Sequence, residues 1–280
     1  MDDLDSPPSV VVGIDGSSAA VGAALWGIDE AVARDIPLRL VYAIDPRETV
    51  CEDADDFTHQ LATAEIAIRY AFMAVEASRR PVKIEIEIVQ GQPVATLIRA
   101  SKSAAMVCLG ASRSPSLKRV GSTASTVMSS AHCPVAILRG YDRVVRGSGG
   151  WVAVELEKSP ENAVVVQHAV GEARLRQAEL RVLTRCPSRE TGYEKERAVP
   201  GPQLAGWIRQ FPDVAIRCVA VRDSVVDYLN ENLREVKLVV VGTNGLGQGE
   251  AGASPAGRQS LVYDTDCPVL ITRGNLGQPD

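Results

Sequence analysis

The chain is poor in the residues on which most hydrolases and metalloproteins depend. It has three histidines in 280 residues, His59, His132 and His168, and they are scattered. Its six cysteines show no paired CxxC spacing, which reads as reduced thiols rather than a disulfide framework or a zinc site. Basic residues do not predominate: 30 Lys and Arg against 35 Asp and Glu leave a formal charge of −5. The bulk charge therefore draws the chain neither to nucleic acid nor to an anionic membrane. No apolar run reaches the roughly 20 residues that span a bilayer. The acidic start, Met1 to Pro8, lacks the basic and apolar regions of a signal peptide. No GxGxxG follows the first apolar run and no GKS or GKT occurs, so neither dinucleotide nor P-loop chemistry is indicated. What remains is a soluble cytoplasmic protein, 45% hydrophobic and 23% charged, whose length favours about two domains.

What the chain does have is a repeat. Val10-Val11-Val12-Gly13-Ile14 ends on Asp15-Gly16-Ser17, and Trp151-Val152-Ala153-Val154 ends on Glu155. Met106-Val107-Cys108-Leu109-Gly110 answers to Val239-Val240-Val241-Gly242, and Cys133-Pro134-Val135 answers to Cys267-Pro268-Val269. The period is domain-sized, so it marks a duplicated domain rather than a solenoid. The expected division is a first domain at 1–140, a glycine-rich linker at 141–150 and a second, degenerate domain at 151–280.

Patterning supplies the architecture. Val10 to Ile14 is continuously apolar, as in a central parallel strand buried on both faces. Val82, Ile84, Ile86 and Ile88 alternate with Lys83, Glu85 and Glu87, so that strand belongs at a sheet edge. Ser17-Ser18 offers a cap for a helix carrying Val21, Leu25, Ile28 and Val32 on one face. Phe57, Leu61, Ala64, Ile68, Phe72 and Val75 predict a helix of about five turns, with those side chains in the core. An acidic cluster (Glu52, Asp53, Asp55, Asp56) precedes and opens it as a solvated helix start. The corresponding helix of the second copy, Leu204 to Phe211, is reduced to about two turns. Each copy reads βαβαβαβαβ: an α/β fold of two tandem doubly wound domains, each a five-stranded parallel sheet flanked by helices.

In open sheets of this class, ligands bind beyond the carboxyl ends of the strands, where the strand order reverses. Asp15 ends the first strand, Gly110 ends the fourth, and Gly121-Ser122-Thr123 opens the next helix. Glycines admit close approach of a phosphate, and free N–H groups at a helix start bind anions. A carboxylate at the neighbouring strand end can accept ribose hydroxyls. Together these describe a mononucleotide cleft. Singly, each residue also reads as ordinary structure: Asp15 as a turn residue, Gly121-Ser122 as a cap. Cys108, Cys133 and Cys267 read as small packing residues.

The Val-Gly-Ile-Asp-Gly-Ser start, Gly110, Gly121-Ser122 and the repeated Cys-Pro-Val strand resemble the universal stress protein family in its tandem-domain form. The resemblance covers nearly the whole chain and implies a Rossmann-like, adenine nucleotide alpha hydrolase-like fold. It implies ATP as cofactor, with or without Mg, and a regulatory role in stress response. By resemblance, Asp15 and backbone near Ala43 hold ribose and adenine, with Gly13 beside the base. The ATP-binding branch carries G-x2-G-x9-G-[ST] after the fourth strand. Here Arg113 replaces the second glycine and the stretch to Gly121 is shortened to seven residues. Arg113, Lys118 and Arg119 stand ready to pair with phosphates in place of the lost backbone contacts, or simply form a solvated basic surface. The second copy keeps Gly242 and Gly245, but has Glu155 matched to Asp15 and Pro255-Ala256 matched to Gly121-Ser122. Glu155, Gly242 and Gly245 are therefore weaker candidates, and the first domain is the expected site. No nucleophile, general base or metal cluster stands out, so at most a slow intrinsic ATPase is expected. A regulatory or scaffolding dimer without nucleotide is the alternative that the broken motifs leave open. The family architecture further implies intrachain pairing of the two domains, and a homodimer is expected besides.

Overall fold

In the first half of the chain every strand is parallel to its neighbours, and β1 (Val10–Gly13) stands third of five. The computed structural model describes residues 7–47, 54–111, 121–139, 150–155, 162–185, 202–221, 224–242, 262 and 264–272. The chain separates into two units, Met1–Arg143 and Val144–Asp280. In the first, β1 is followed by α1 (Ser18–Arg34), β2 (Leu38–Ile44), α2 (Ala54–Ala77), β3 (Ile84–Gln90), α3 (Pro93–Ala100), β4 (Met106–Gly110), α4 (Ser122–Ser130) and β5 (Val135–Leu138). The strand order is β3-β2-β1-β4-β5. The second unit has β6 (Trp151–Glu155), α5 (Asn162–Leu175), β7 (Glu179–Arg185), α6 (Pro202–Gln210), β8 (Ile216–Val221), α7 (Val225–Glu231), β9 (Val236–Gly242) and β10 (Val269–Thr272). Its order is β10-β9-β6-β7-β8, again parallel throughout.

The burial pattern follows the sequence pattern. Val10, Val11 and Val12 are wholly buried, because helices cover both faces of β1. Alternating β3 lies at the edge, with Ile86 51% exposed. On one face, Gly27 of α1 lies against the Val10, Val12 and Leu38 side chains; on the other, Leu97 of α3 lies over Gly13. Ser17 caps α1, its hydroxyl accepting the Ala20 N–H at 3.1 Å. In α2 the core face holds at Ala64, Ile68 and Val75, whereas Phe57 is 40% exposed. The expected stripe therefore overreaches at its first turn.

Three devices recur in both units. Glu30 is wholly buried and paired with Arg34 one turn on at 2.6 Å; Glu172 and Arg176 repeat this at 2.5 Å. A side chain from the end of the helix that precedes β4 or β9 also holds the Cys-Pro turn. Ser101 Oγ accepts the His132 N–H at 2.9 Å, and Asn230 Oδ1 accepts the Asp266 N–H at 3.2 Å. The third is the cysteine itself, buried as Cys133 and as Cys267. Burial pushes the Cys267 thiol up to about 11.

Strand register identifies which residues of the two copies correspond. Val12 pairs with Cys108 and Val154 with Val240, while Gly110 pairs with Leu138 and Gly242 with Thr272. Counting along each strand, Gly13 corresponds to Glu155, Ala43 to Arg185 and Gly110 to Gly242. The match of Glu155 to Asp15 is thus corrected by two residues. Counted on along the sequence, the residue matched to Asp15 is Glu157, which lies outside the described residues.

Two outcomes follow. A Cβ on Gly110 would lie 2.2 Å from the Ala19 carbonyl carbon; among the described residues, one on Gly242 would meet the tip of Val165 at 3.1 Å. Gly110→Ala should cost about 3 kcal/mol or more in urea unfolding. With its thiol protonated and buried, Cys267 should resist iodoacetamide at pH 8 in the native protein and react once unfolded, as read by peptide mass mapping.

Candidate functional site

The site is where α1 and α4 leave adjacent strands for opposite faces. β1 passes to α1 on one face, and its neighbour β4 passes to α4, which packs beside α3 on the other. The order β2-β1-β4 reverses between β1 and β4, which opens a crevice beyond their carboxyl ends. Three sequence candidates border it: the Asp15-Gly16-Ser17 turn, Gly110, and Gly121 with the start of α4.

The turn after β1 is tightly specified. Ile14 donates its N–H to Val41 O at 2.8 Å, keeping the chain in the sheet to that point. Gly16 has φ +82°, a left-handed conformation that a side chain would strain. Asp15 Oδ1 accepts the Ser17 N–H at 2.9 Å, and the residue is exposed. One carboxylate oxygen is held by the turn, and the group stands in solvent at the mouth of the crevice. The first turn of α1 then lies on Gly110 so closely that no side chain fits between them. Gly110 thus has a packing role as well as a place in the motif.

The start of α4 has the opposite character. Gly121 is its N-cap and supplies no side-chain hydrogen bond; no described residue lies within 4 Å of the place its Cβ would occupy. The first intrahelical bond runs from Ser125 N–H to Gly121 O at 3.0 Å. The N–H groups of Ser122, Thr123 and Ala124 donate to no described residue. Ser122 is exposed and Thr123 half-buried. Donors with no acceptor among the described residues at a nine-residue helix start, with the dipole behind them, make an electropositive end suited to an anion.

Gly13 and Ala43, which the resemblance assigns to the base, are both partly exposed at the ends of β1 and β2. Gly13 packs under Leu109 and Leu97, which would lie 2.8 and 3.4 Å from a Cβ there. Asp45 follows β2 and is bound by Arg47 at 2.8 Å, a hydrogen bond that holds its carboxyl below the usual range. Sequence reasoning passed over Asp45 because it reads as a turn residue. It also passed over Arg139, which is buried although it directly follows β5; a single charged residue after a strand gives no signal of burial.

Arg113, Lys118 and Arg119 lie outside the described residues, as do Gly245 and Pro255-Ala256. In the second unit the described strand ends differ in kind. The position of Gly13 carries the Glu155 side chain, and that of Ala43 carries Arg185. Among the described residues, no group of three or more His, Cys, Asp or Glu side chains is placed to hold a metal ion. No described helix is long and apolar enough to cross a membrane.

Comparison with known proteins agrees with the fold. Residues 8–139 match the model of the universal stress protein family. Universal stress protein Rv2028c of Mycobacterium tuberculosis is 42% identical over 97% of this chain and 98% of its own length. Universal stress protein Rv3134c of the same organism is 38% identical over 98% of each chain. A crystal structure of a universal stress protein from Archaeoglobus fulgidus shares the fold, with a TM-score of 0.72 at 14% identity over 95% of this chain and 96% of that one. The chain belongs to the universal stress protein family.

Proposed function

We propose that the first unit binds ATP or a related adenine nucleotide, and that its occupancy tunes the protein's regulatory contacts during stress. One observation carries the reading: an uncapped helix start and an exposed, turn-held carboxylate sit on adjacent strands at the point where the strand order reverses. The N–H groups of Ser122 and Thr123, with Gly121 open to close approach, suit the phosphates. Asp15 suits ribose hydroxyls, and the small residues Gly13 and Ala43 leave room for adenine. Arg113 would add charge to the phosphates in place of the missing glycine, with Mg2+ as a further counter-ion.

The second unit is the poorer host. A glutamate at the Gly13 position puts bulk and charge where the base would lie, the small Ala43 is replaced in sequence by an arginine, and Pro255 has no N–H to offer a phosphate. The departures from the motif in the first unit favour a second reading, a regulatory chain that works without nucleotide.

Calorimetric titration with ATP separates these readings. Asp15→Ala should weaken binding about 10- to 100-fold, the loss of hydrogen bonds to a charged group, whereas Glu157→Ala should leave it unchanged. No heat of binding with folded wild-type protein would remove the nucleotide reading. A loss confined to Glu157→Ala would move the site to the second unit.

A further inference from the structure

Helix α2 carries two apolar faces, and the fold uses only one. Ala64, Ala67, Ile68, Ala71 and Val75 are buried against the first unit. On the outer side, Ile66, Tyr70 and Met73 are 70, 64 and 61% exposed. Their i, i+4, i+7 spacing sets them in one stripe, extended at either end by the exposed Ala62 and Ala77. The charged residues Glu65, Arg69 and Glu76 fall along one border of the stripe rather than within it. Three large apolar side chains exposed in a row on one helix mark an interaction surface rather than scattered surface hydrophobes.

We propose that this stripe is the contact between two copies of the chain, paired antiparallel through α2. Its residue order is self-complementary. A twofold axis crossing α2 between Arg69 and Tyr70 sets Ile66 on Met73 of the other copy and Ala62 on Ala77, large with large and small with small. It also stacks each Arg69 on the Tyr70 of the other copy. Charge selects the same orientation. The helix starts with Asp55-Asp56, and Arg79, Arg80 and Lys83 follow its end. Two of these cations already have intrachain carboxylates: Arg80 meets Asp29 at 3.0 Å and Lys83 meets Glu85 at 2.7 Å. An antiparallel pair brings acidic starts beside basic ends, whereas a parallel pair sets like against like.

Size sets the strength. A 24-residue helix is about 36 Å long and about 10–12 Å across, a face on the order of 400 Å2. That is about half of what one partner gives to a standard interface of about 800 Å2 per side. The dimer is accordingly weak and concentration-dependent.

Sedimentation velocity on the full chain, from low micromolar to several hundred micromolar, tests this, with thermal melts by circular dichroism confirming that each variant is folded. Wild type should pass from monomer to dimer as concentration rises. Ile66→Lys alone and Met73→Glu alone should each raise the dissociation constant about tenfold or more. The double variant Ile66→Lys/Met73→Glu should recover much of the loss, because each new lysine lies against the new glutamate of the other copy. A monomer at every concentration would overturn the proposal, and so would a dimer indifferent to both single changes. A double variant no better than the singles would overturn the antiparallel pairing.

Discussion

The first unit is organised by one close approach, the first turn of α1 against the backbone of Gly110. A Cβ at that position would lie 2.2 to 2.4 Å from Ala19 and Ala20 backbone atoms, a distance no side chain tolerates. The contact fixes the start of α1 against the end of β4. Four residues of chain, Ile14 to Ser17, must then connect β1 to the helix, and they do so through the left-handed Gly16 and the bond from Ser17 N–H to Asp15. The placement of the Asp15 carboxylate at the crevice is thus a consequence of packing. In this site, a residue of the binding motif and a residue of the core are the same glycine.

The second unit keeps the glycine but not the strand-end residues around it. Among the described residues Gly242 meets the Val165 side chain, and the adjacent strand ends carry Glu155 and Arg185 in place of Gly13 and Ala43. What duplication has kept is the buried ion pair, Glu30–Arg34 and Glu172–Arg176, together with the side-chain clasp on each Cys-Pro turn and the cysteine beneath it. Breaking one partner of such a buried pair strands a charge, at a cost of about 3–5 kcal/mol. Stability alone therefore suffices to retain these features where the strand-end residues have drifted.

Much of this was legible in the sequence, and the exceptions have physical causes. Unbroken Val10-Val11-Val12 marked the central strand and alternating Ile84, Ile86, Ile88 the edge, because burial on two faces or one is written directly into hydropathy. The crevice residues Asp15, Gly110 and Gly121 were legible because strand ends are. The pairing of Asp15 with Glu155 was not: a carboxylate after an apolar run looks alike in both copies, and only the neighbouring strands fix the count. Gly110 read as a phosphate glycine because its helix neighbour is ninety residues away in sequence. The outer stripe of α2 stayed hidden because one apolar periodicity was enough to explain the helix, and Phe57 was assigned to that core face although it lies in the open.

The central claim is that one chain holds two copies of the fold but one working nucleotide site. Equilibrium dialysis of the folded wild-type chain against labelled ATP, carried to saturation, measures this most directly. The account predicts a single saturable class at one nucleotide per chain. Two nucleotides per chain, or none, would contradict it.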